Sequence, residues 1–152
     1  MYFDKGTLAE GAKGILPYLS NVAAVVPYRR QVRLSMEIGI INQAEVRILE
    51  CLSPITGIDD ALDIVAACGE KDSDHLLLES HMLPDSFFDL RTRFAGEFLQ
   101  KLQNYRVRTA GVFPPKPEYS ERFKEFLVEA RRGQMFRVFT TRAEALDWLA
   151  AE

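Results

Sequence analysis

After Met36 the sequence alternates between short apolar runs, typical of strands, and longer segments with helical periodicity. This alternation restricts the fold more than any other feature. Two strand-like stretches come first, and four helix-like segments then alternate with three further strand-like ones. Strands separated by helices are joined by right-handed crossovers into a largely parallel sheet. The sequence therefore predicts an α/β domain of order β-β-α-β-α-β-α-β-α, with an antiparallel hairpin at its start.

Five short segments of the sequence are strand-like. HLLLE at 75–79 shows no polar alternation, as expected for a strand that is buried on both faces. The first two segments are joined by NQA and are expected to pair as a hairpin. The five segments are MEIGII, EVRILECL, HLLLE, RVRTAGVF at 106–113 and MFRVFT.

The helix-like segments carry start and stop signals. In TGIDDALDIVAACG, Thr56 and Asp59 fit a T-x-x-D capping box, and Gly69 suits the left-handed residue that ends a helix. The predicted apolar face of this helix consists of Ile58, Leu62 and Val65. SERFKEFLVEARRG follows the proline-rich loop PPKPEYS, and in TRAEALDWLAAE a second capping box is formed by Thr141 and Glu144.

Residues 1–35 lack this regularity. Their glycines and prolines accompany neither a helical nor a strand period, which predicts a poorly defined N-terminal leader before an α/β domain at 36–150. The leader carries five Lys or Arg against two acidic residues, a charge of +3, so the net charge of −3 leaves −6 on the remainder. An acidic body argues against a nucleic-acid partner.

The composition is that of a soluble globular protein, with 47% apolar and 27% charged residues in a chain of 152. No apolar run reaches the roughly 20 residues that span a bilayer, so no membrane span is predicted. Cys51 and Cys68 show no paired spacing, which favours a reduced, cytoplasmic setting. With only His75 and His81 besides, neither a zinc site nor a cofactor is predicted.

The segment FFDLRTRFAGEFLQKLQNY at 87–105 contains the residues from which a binding site can be argued. Its apolar side chains fall within an arc of roughly 140°, which predicts an amphipathic helix at 93–104. The apolar arc consists of Phe94, Ala95, Phe98, Leu99, Leu102 and Tyr105. The opposite, polar face consists of Arg93, Glu97, Gln100, Lys101 and Asn104. Glu97 and Lys101 are spaced for an i,i+4 ion pair on a solvated face.

Gly96 lies among these polar positions, where a glycine costs about 1 kcal/mol relative to alanine. Either it belongs to the first helical turn, where the cost is smaller, or another backbone or a ligand approaches closely there. The second alternative makes Gly96 and the polar face an interaction surface.

The residues before this helix fit both structural and functional roles. Ser86 and Asp89 match a capping box, and Thr92 suits an N-cap. Asp89 and Thr92 also precede a helix N-terminus near the carboxyl end of a buried strand, where α/β folds bind anions and ligands. Both are therefore candidate binding residues.

At the other end of the helix, Asn104, Tyr105 and Arg106 mark the junction with the next strand. Asn104 and Arg106 are expected to satisfy terminal carbonyls while Tyr105 packs, with a binding role as the alternative. Phe87 and Phe88 are interpreted as core side chains, with an exposed apolar anchor as the alternative.

A hydrolytic set can be assembled from Glu79, Ser80, His81 and Asp89, because ESHMLPD follows a buried strand. However, no G-x-S-x-G elbow or phosphate-binding glycine loop accompanies it. Ser80 and His81 are adjacent in sequence and so are badly placed to act on each other. No catalytic residue is predicted, and a hydrolase is the weakest of the hypotheses.

Residues 36–150 resemble the bacterial domain-of-unknown-function family four-one-eight-zero. The resemblance rests on DALDIVA at 60–66, FFDLRTRFAGEFLQKLQNYRV at 87–107 and EFLVEARRGQ at 125–134. Because members of that family begin near Met36, residues 1–35 are expected to be either an extension particular to this chain or an artefact of start-codon choice.

The layout also resembles the SpoIIAA-like, or STAS, fold of anti-sigma-factor antagonists. In those proteins a strand, a D-S-S-G-type loop and a helix carry a phosphorylatable serine. Asp89 matches the aspartate of that motif, but Leu90 stands at the serine and Arg93 stands where glycine is expected. The resemblance therefore implies a single SpoIIAA-like α/β domain without the serine switch, and it leaves Thr92 as the alternative phosphate acceptor.

Two non-enzymatic functions follow as expectations. The leading one is a regulatory or protein-interaction module, with a protein partner or self-association through the 79–92 loop and the polar face of 93–104. The alternative is a protein that binds a small molecule or lipid between that helix and the sheet.

Overall fold

Five strands form one mixed sheet in the computed structural model, which describes residues 36–151. The strands are β1 (Ile38–Gln43), β2 (Val46–Cys51), β3 (His75–Glu79), β4 (Arg108–Val112) and β5 (Phe136–Phe139). The helices of this part of the chain are α1 (Asp60–Glu70), α2 (Asp85–Phe88), α3 (Phe94–Asn104), α4 (Glu121–Ala130) and α5 (Arg142–Ala150). Two 3-10 turns, Ser80–Met82 and Leu90–Thr92, flank α2. The predicted leader, residues 1–35, lies outside the described residues.

The strands follow one another across the sheet in chain order. β1 and β2 form an antiparallel hairpin with Ile41 opposite Ile48, and the strands from β2 to β5 are parallel. The predicted hairpin and the predicted alternation are therefore confirmed, and the short helix α2 is an addition to them. The hairpin turn consists of Ala44 and Glu45, at φ 51° and 64°, so most of the NQA connection belongs to β1.

The two faces of the sheet are covered unequally. Because each parallel strand is added on the same side of the one before it, right-handed crossovers place α1, α3 and α4 on one face. The core on that face includes Leu49, Ile64, Leu76, Phe98 and Phe123. The core on the other face packs α5 against the sheet and includes Ile48, Leu77, Ala110, Ala145 and Leu149. β3 contributes to both cores, which confirms the prediction that HLLLE is buried on both faces.

The start of α1 differs from the predicted capping box of Thr56 and Asp59. The acceptor is Oδ2 of Asp60, which receives hydrogen bonds from the backbone N–H groups of Thr56 at 2.8 Å and of Gly57 at 3.2 Å. Asp60 is buried, so these hydrogen bonds satisfy polar groups that water does not reach. The difference of one residue arises because the loop folds back over the helix and brings its N–H groups to the first helical residue.

The apolar face and the end of α1 also differ from the prediction. The side chains that α1 buries are Ala61, Ile64, Ala67 and Cys68. Leu62 is 42% exposed, and Ile58 and Val65 pack only at the margin of the core. Gly69 lies inside the helix, and the left-handed residue that follows α1 is Asp72 at φ 55°. α1 carries apolar residues on two sides. The side that packs closely on the sheet is the one on which most side chains are small.

The predicted capping box of α5 is half formed. Oγ1 of Thr141 accepts a hydrogen bond from the backbone N–H of Glu144 at 3.2 Å. The Glu144 carboxylate accepts from the Thr140 hydroxyl at 3.3 Å instead of from the backbone of the cap residue. α5 thus begins at the predicted place, directly after the last strand.

Candidate functional site

A groove of about 770 Å³ lies where the chain continues beyond the carboxyl ends of β3 and β4. These strands are parallel neighbours, so the segments that follow them leave the sheet at the same edge. One wall runs from α2 into the second 3-10 turn and contributes Asp85, Phe88, Asp89, Leu90 and Arg91. The other wall, the proline-rich loop and the start of α4, contributes Lys116, Glu118, Tyr119, Ser120 and Arg122. This edge is where α/β sheets commonly hold ligands.

The apolar part of the groove is anchored in a cluster of aromatic rings. Phe88 and Tyr119 stack with their centroids 5.8 Å apart and their planes at 11°. Both rings contact Phe123, at centroid distances of 5.2 Å and 5.0 Å. Phe87 is fully buried and meets Phe88 edge to face, so the predicted core role is observed for Phe87. Phe88 belongs to both the core and the groove, which gives the groove a preformed apolar surface.

Tyr119 also places a polar atom beneath this surface. Its hydroxyl is buried and makes no hydrogen bond of good geometry with a described residue. Burial raises the pKa of Tyr119 and the nearby Glu118 carboxylate adds to that rise, while the adjacent Ser80 hydroxyl offsets part of it. Tyr119 therefore stays neutral at physiological pH and contributes to the groove mainly through its ring.

Asp89 forms a two-pronged ion pair with Arg91 at the rim of the groove. Nε of Arg91 donates to Oδ1 and Nη2 donates to Oδ2, each at 3.0 Å, and the Arg91 backbone N–H donates to Oδ1 at 3.1 Å. These hydrogen bonds lower the pKa of Asp89 and raise the pKa of Arg91. Asp89 therefore caps the following 3-10 turn, and the predicted capping box with Ser86 is not formed.

Thr92 ties this wall to the start of α3. Its Oγ1 lies 2.6 Å from the carbonyl oxygen of Ser86 and 2.8 Å from that of Asp89, and it accepts the backbone N–H of Phe94 at 3.1 Å. The hydroxyl therefore caps the helix from one residue before the formal N-cap, Arg93, whose side chain makes no cap. A hydroxyl engaged in this way favours the structural interpretation of Thr92 over the phosphate acceptor.

The predicted two-sided character of α3 is present in the structure. Its buried side chains are Phe94, Ala95, Phe98, Leu99 and Leu102. On the exposed side, Nε2 of Gln100 donates to Oδ1 of Asn104 at 2.8 Å. The expected ion pair between Glu97 and Lys101 is not among the interactions of residues 36–151. Gly96 lies in the first turn, and a Cβ atom there would meet no atom within 4 Å.

The junction after α3 differs from the expectation. Tyr105 is 58% exposed instead of packed, because the helix ends at Asn104 and Arg106 adopts a left-handed φ of 60°. The terminal carbonyls are satisfied by backbone groups, with Val107 N–H donating to Leu102 at 3.0 Å, and not by the side chains of Asn104 and Arg106. Tyr105 lines a second, shallower cavity of about 430 Å³ at the opposite end of α3 from the groove.

The residues of the hydrolytic hypothesis take part in separate interactions. Ser80 is 7% exposed, and the Asp89 carboxylate is held by its arginine. His81 is exposed, with Nδ1 3.8 Å from Oε1 of Glu79. The Glu79 carboxylate in turn accepts a hydrogen bond from Arg142. The structure thus does not combine a nucleophile, a base and an orienting carboxylate into one set.

Arg142 lies at the carboxyl-end edge of the sheet and was not predicted from the sequence to be a candidate site residue. Its Nη1 donates to Oε1 of Glu50 at 2.9 Å and to Oε2 of Glu79, and these hydrogen bonds raise the pKa of Arg142. Lys116 and Arg122 in the groove wall were missed as well. The only signal for them is positional, because each follows a parallel strand that ends at the same edge.

Residues 36–151 were searched for clusters of metal-ligand side chains and for helices that could cross a membrane. Between residues 36 and 151, no group of three or more His, Cys, Asp or Glu side chains is placed to hold a metal ion. The helices of the same part of the chain are all too short or too polar to cross a membrane.

Residues 36–151 thus form a small α/β domain with a mixed five-stranded sheet and a groove at the carboxyl ends of its strands. A family model with the description Domain of unknown function (DUF4180) matches residues 42–149. The chain belongs to this family, as the motifs at 60–66, 87–107 and 125–134 indicated. No curated protein matches the chain.

Proposed function

We propose that this protein is a non-enzymatic regulatory module that binds a small molecule in the groove between α2 and the start of α4. The observation that carries the proposal is the preformed stack of Phe88 and Tyr119 at the carboxyl ends of two parallel strands. A volume of about 770 Å³ falls within the range of about 300–1,000 Å³ typical of ligand pockets. An aromatic surface of this kind suits a flat or chain-like apolar group, including a lipid tail.

The charged side chains around the groove favour a ligand with polar groups at its ends. Arg91 is neutralised by Asp89, whereas Lys116 and Arg122 form no ion pair with a described residue. Asp85 and Glu118 also line the groove, so both signs of charge are available. A ligand that combines an apolar body with an anionic group would contact the ring stack and the two free cations together.

Thermal unfolding of the full chain with a panel of aromatic carboxylates and short fatty acids tests this proposal. A bound ligand stabilises the native state by mass action, by about 2.7 kcal/mol at a concentration 100 times its Kd. We expect at least one compound to raise the melting temperature, and we expect the double variant Lys116→Glu, Arg122→Glu to lose that rise. Both residues are exposed, so the variant should remain folded.

A matched control carries the same charge changes away from the groove, with Lys124→Glu on the exposed side of α4 and Arg131→Glu directly after it. This control should keep the response of the wild type. Equal responses of the groove variant and the wild type would place the ligand elsewhere and refute the proposal.

A second candidate function is protein interaction, including self-association, through the exposed side of α3. The observation that favours it is Gly96: a Cβ atom built there would meet no described atom within 4 Å, so packing within the fold does not explain a glycine at this exposed helical position. Absence of any co-purifying partner and of any oligomer in native mass spectrometry would count against this candidate.

We also propose that the domain is of the SpoIIAA-like type. The consecutive order of the parallel strands supports it. An experimental structure that superposes on a SpoIIAA-like protein only over isolated strands would overturn this assignment.

A cytoplasmic location is proposed from the two buried free thiols, Cys51 and Cys68. Free cysteines are typical of a reduced compartment. Fractionation of the native host with an antibody to this chain tests the proposal, and recovery in an oxidising compartment would refute it.

A further inference from the structure

β1 is an edge strand, and its outer side carries backbone groups that β2 does not pair. Among the described residues, β1 pairs with β2 alone. The Leu52 N–H donates to the Glu37 carbonyl oxygen at 2.8 Å, so residues 37 and 52 form a hydrogen-bonded pair. Because hydrogen-bonded and non-hydrogen-bonded pairs alternate along an antiparallel ladder, the odd-numbered positions of β1 bond to β2. The N–H and C=O groups of Ile38, Ile40 and Asn42 therefore point away from β2.

The sequence of β1 gives this edge none of the usual protection against strand pairing. Sheet edges are kept from pairing by short strands, charged side chains, prolines or bulges. β1 has the sequence IGIINQ, with neither a charge nor a proline, and its ladder with β2 is continuous over six residues. The opposite edge strand, β5, has four residues and carries Arg137. β1 is therefore the edge that is open to a further strand.

Exposed apolar side chains accompany this edge on both faces of the sheet. Ile40 is 46% exposed, although its cross-strand partner Leu49 lies in the core beneath α1, α3 and α4. Gly39 faces the other side of the sheet, because successive side chains of a strand alternate. Leu52 is 50% exposed and extends over Gly39, where a Cβ atom would lie 3.0 Å from Cδ1 of Leu52. A strand added to β1 would cover both exposed side chains.

We propose that β1 mediates self-association by pairing antiparallel with β1 of a second copy about a two-fold axis at Ile40. The outward residues lie symmetrically around this position. A register centred there sets Ile40 opposite Ile40 of the second copy and Ile38 opposite Asn42 of the second copy. Each outward N–H then meets a C=O group of the other chain. A centre at Gly39 or Ile41 would leave one outward residue opposite a position outside the strand.

The same register buries the exposed apolar side chains against each other, which identifies the occupant as a second copy. The two Ile40 side chains meet at the axis, since Cβ atoms of directly opposed residues are about 4.5–5.5 Å apart. On the other face, Gly39 lies opposite Ile41 of the second copy, which thereby reaches Leu52 across the missing side chain. Two-fold symmetry makes this contact twice. This surface includes neither the groove nor α3, and self-association through it goes beyond both proposed functions.

Opposite charges at position 40 of the full chain test the register, because this position faces itself across the axis. Ile40→Lys and Ile40→Glu each set like charges against one another, so each should weaken self-association roughly tenfold or more. An equimolar mixture of the two variants should restore a dimer with one chain of each, because Lys then faces Glu. Sedimentation velocity and native mass spectrometry measure the species, and circular dichroism checks the fold.

Val128→Lys is the matched control for these variants. Val128 is 56% exposed on α4, so the control also replaces an exposed apolar side chain by a charge, and it should associate like the wild type. A monomeric wild type at the highest concentration measured would overturn the proposal. Folded single variants that associate like the wild type would overturn it as well, and so would a mixture that stays monomeric.

Amide hydrogen exchange of the unchanged chain gives a test that depends on no variant. The N–H groups of Gly39 and Ile41 bond to β2 and should exchange slowly at every protein concentration. Those of Ile38, Ile40 and Asn42 should exchange about tenfold more slowly where the dimer dominates than where the monomer dominates. Nuclear magnetic resonance resolves these amides singly. Fast exchange at Ile40 in the dimer would show that the two copies meet at another surface.

Discussion

A Cβ atom on Gly133 would overlap the carbonyl oxygen of Phe136, whereas a Cβ atom on Gly96 would meet no atom within 4 Å. Gly133 lies in the loop after α4 and Gly96 in the first turn of α3, but neither position tells which atoms surround the glycine. At the scale of single residues, the role of a glycine is thus decided by atoms that the chain brings near it.

We expect Gly133→Ala to lower the free energy of unfolding by about 3 kcal/mol, because the backbone between α4 and β5 must shift to admit the methyl group. Gly96→Ala is the matched control. It should raise the free energy of unfolding by about 0.5 kcal/mol through the lower entropy of the unfolded chain. Urea denaturation measures both variants, and equal effects would contradict the assigned surroundings.

The ends of α1 show what local sequence signals determine at the scale of an element. The existence and approximate extent of this helix were predicted from its periodicity. Its capping carboxylate and its buried face were not, because more than one acidic or apolar residue satisfied the local rules, and its end was not, because the left-handed residue that follows is Asp72 and not a glycine. Packing against the sheet and the return of the preceding loop selected among them.

Gly69→Ala separates the two interpretations of the end of α1. Gly69 lies inside the helix with open space around it, so alanine should raise the free energy of unfolding by roughly 0.5–1 kcal/mol. If Gly69 were the left-handed residue after the helix, the same change would be destabilising. Thermal or urea unfolding distinguishes the signs, with Gly57→Ala as a control at a glycine outside the helix.

At the scale of the whole molecule, the two cysteines report on the burial of the core. Burial raises the pKa of Cys51 to about 12 and that of Cys68 to about 11. Their ordinary value is 9.0, so the unfolded thiols ionise at a lower pH than the folded ones. The stability that these neutral thiols contribute is complete below about pH 9 and is lost as the pH rises towards the folded values.

We expect that raising the pH from 8 to 10 lowers the free energy of unfolding by about 1 kcal/mol through Cys51, because its thiol ionises more readily in the unfolded chain. Cys68 should contribute less, because it borders the cavity beside Tyr105. Urea denaturation at the two pH values, compared between the wild type and Cys51→Ala, measures the difference. The variant is less stable at both values, but its decline with pH should be smaller, and an unchanged decline would mean that Cys51 is accessible to water.

The alternation of apolar patterns by itself determined the order of elements, the parallel sheet and the two faces of α3, because those features depend on residues close together in sequence. Only the tertiary structure decided which distant residues meet. It set Lys116 and Arg122 opposite Phe88, and it joined Arg142 to Glu50 and Glu79 across 63 and more positions of chain. Such contacts follow from how parallel strands bring their carboxyl ends to one edge, and local periodicity does not encode which side chains stand there.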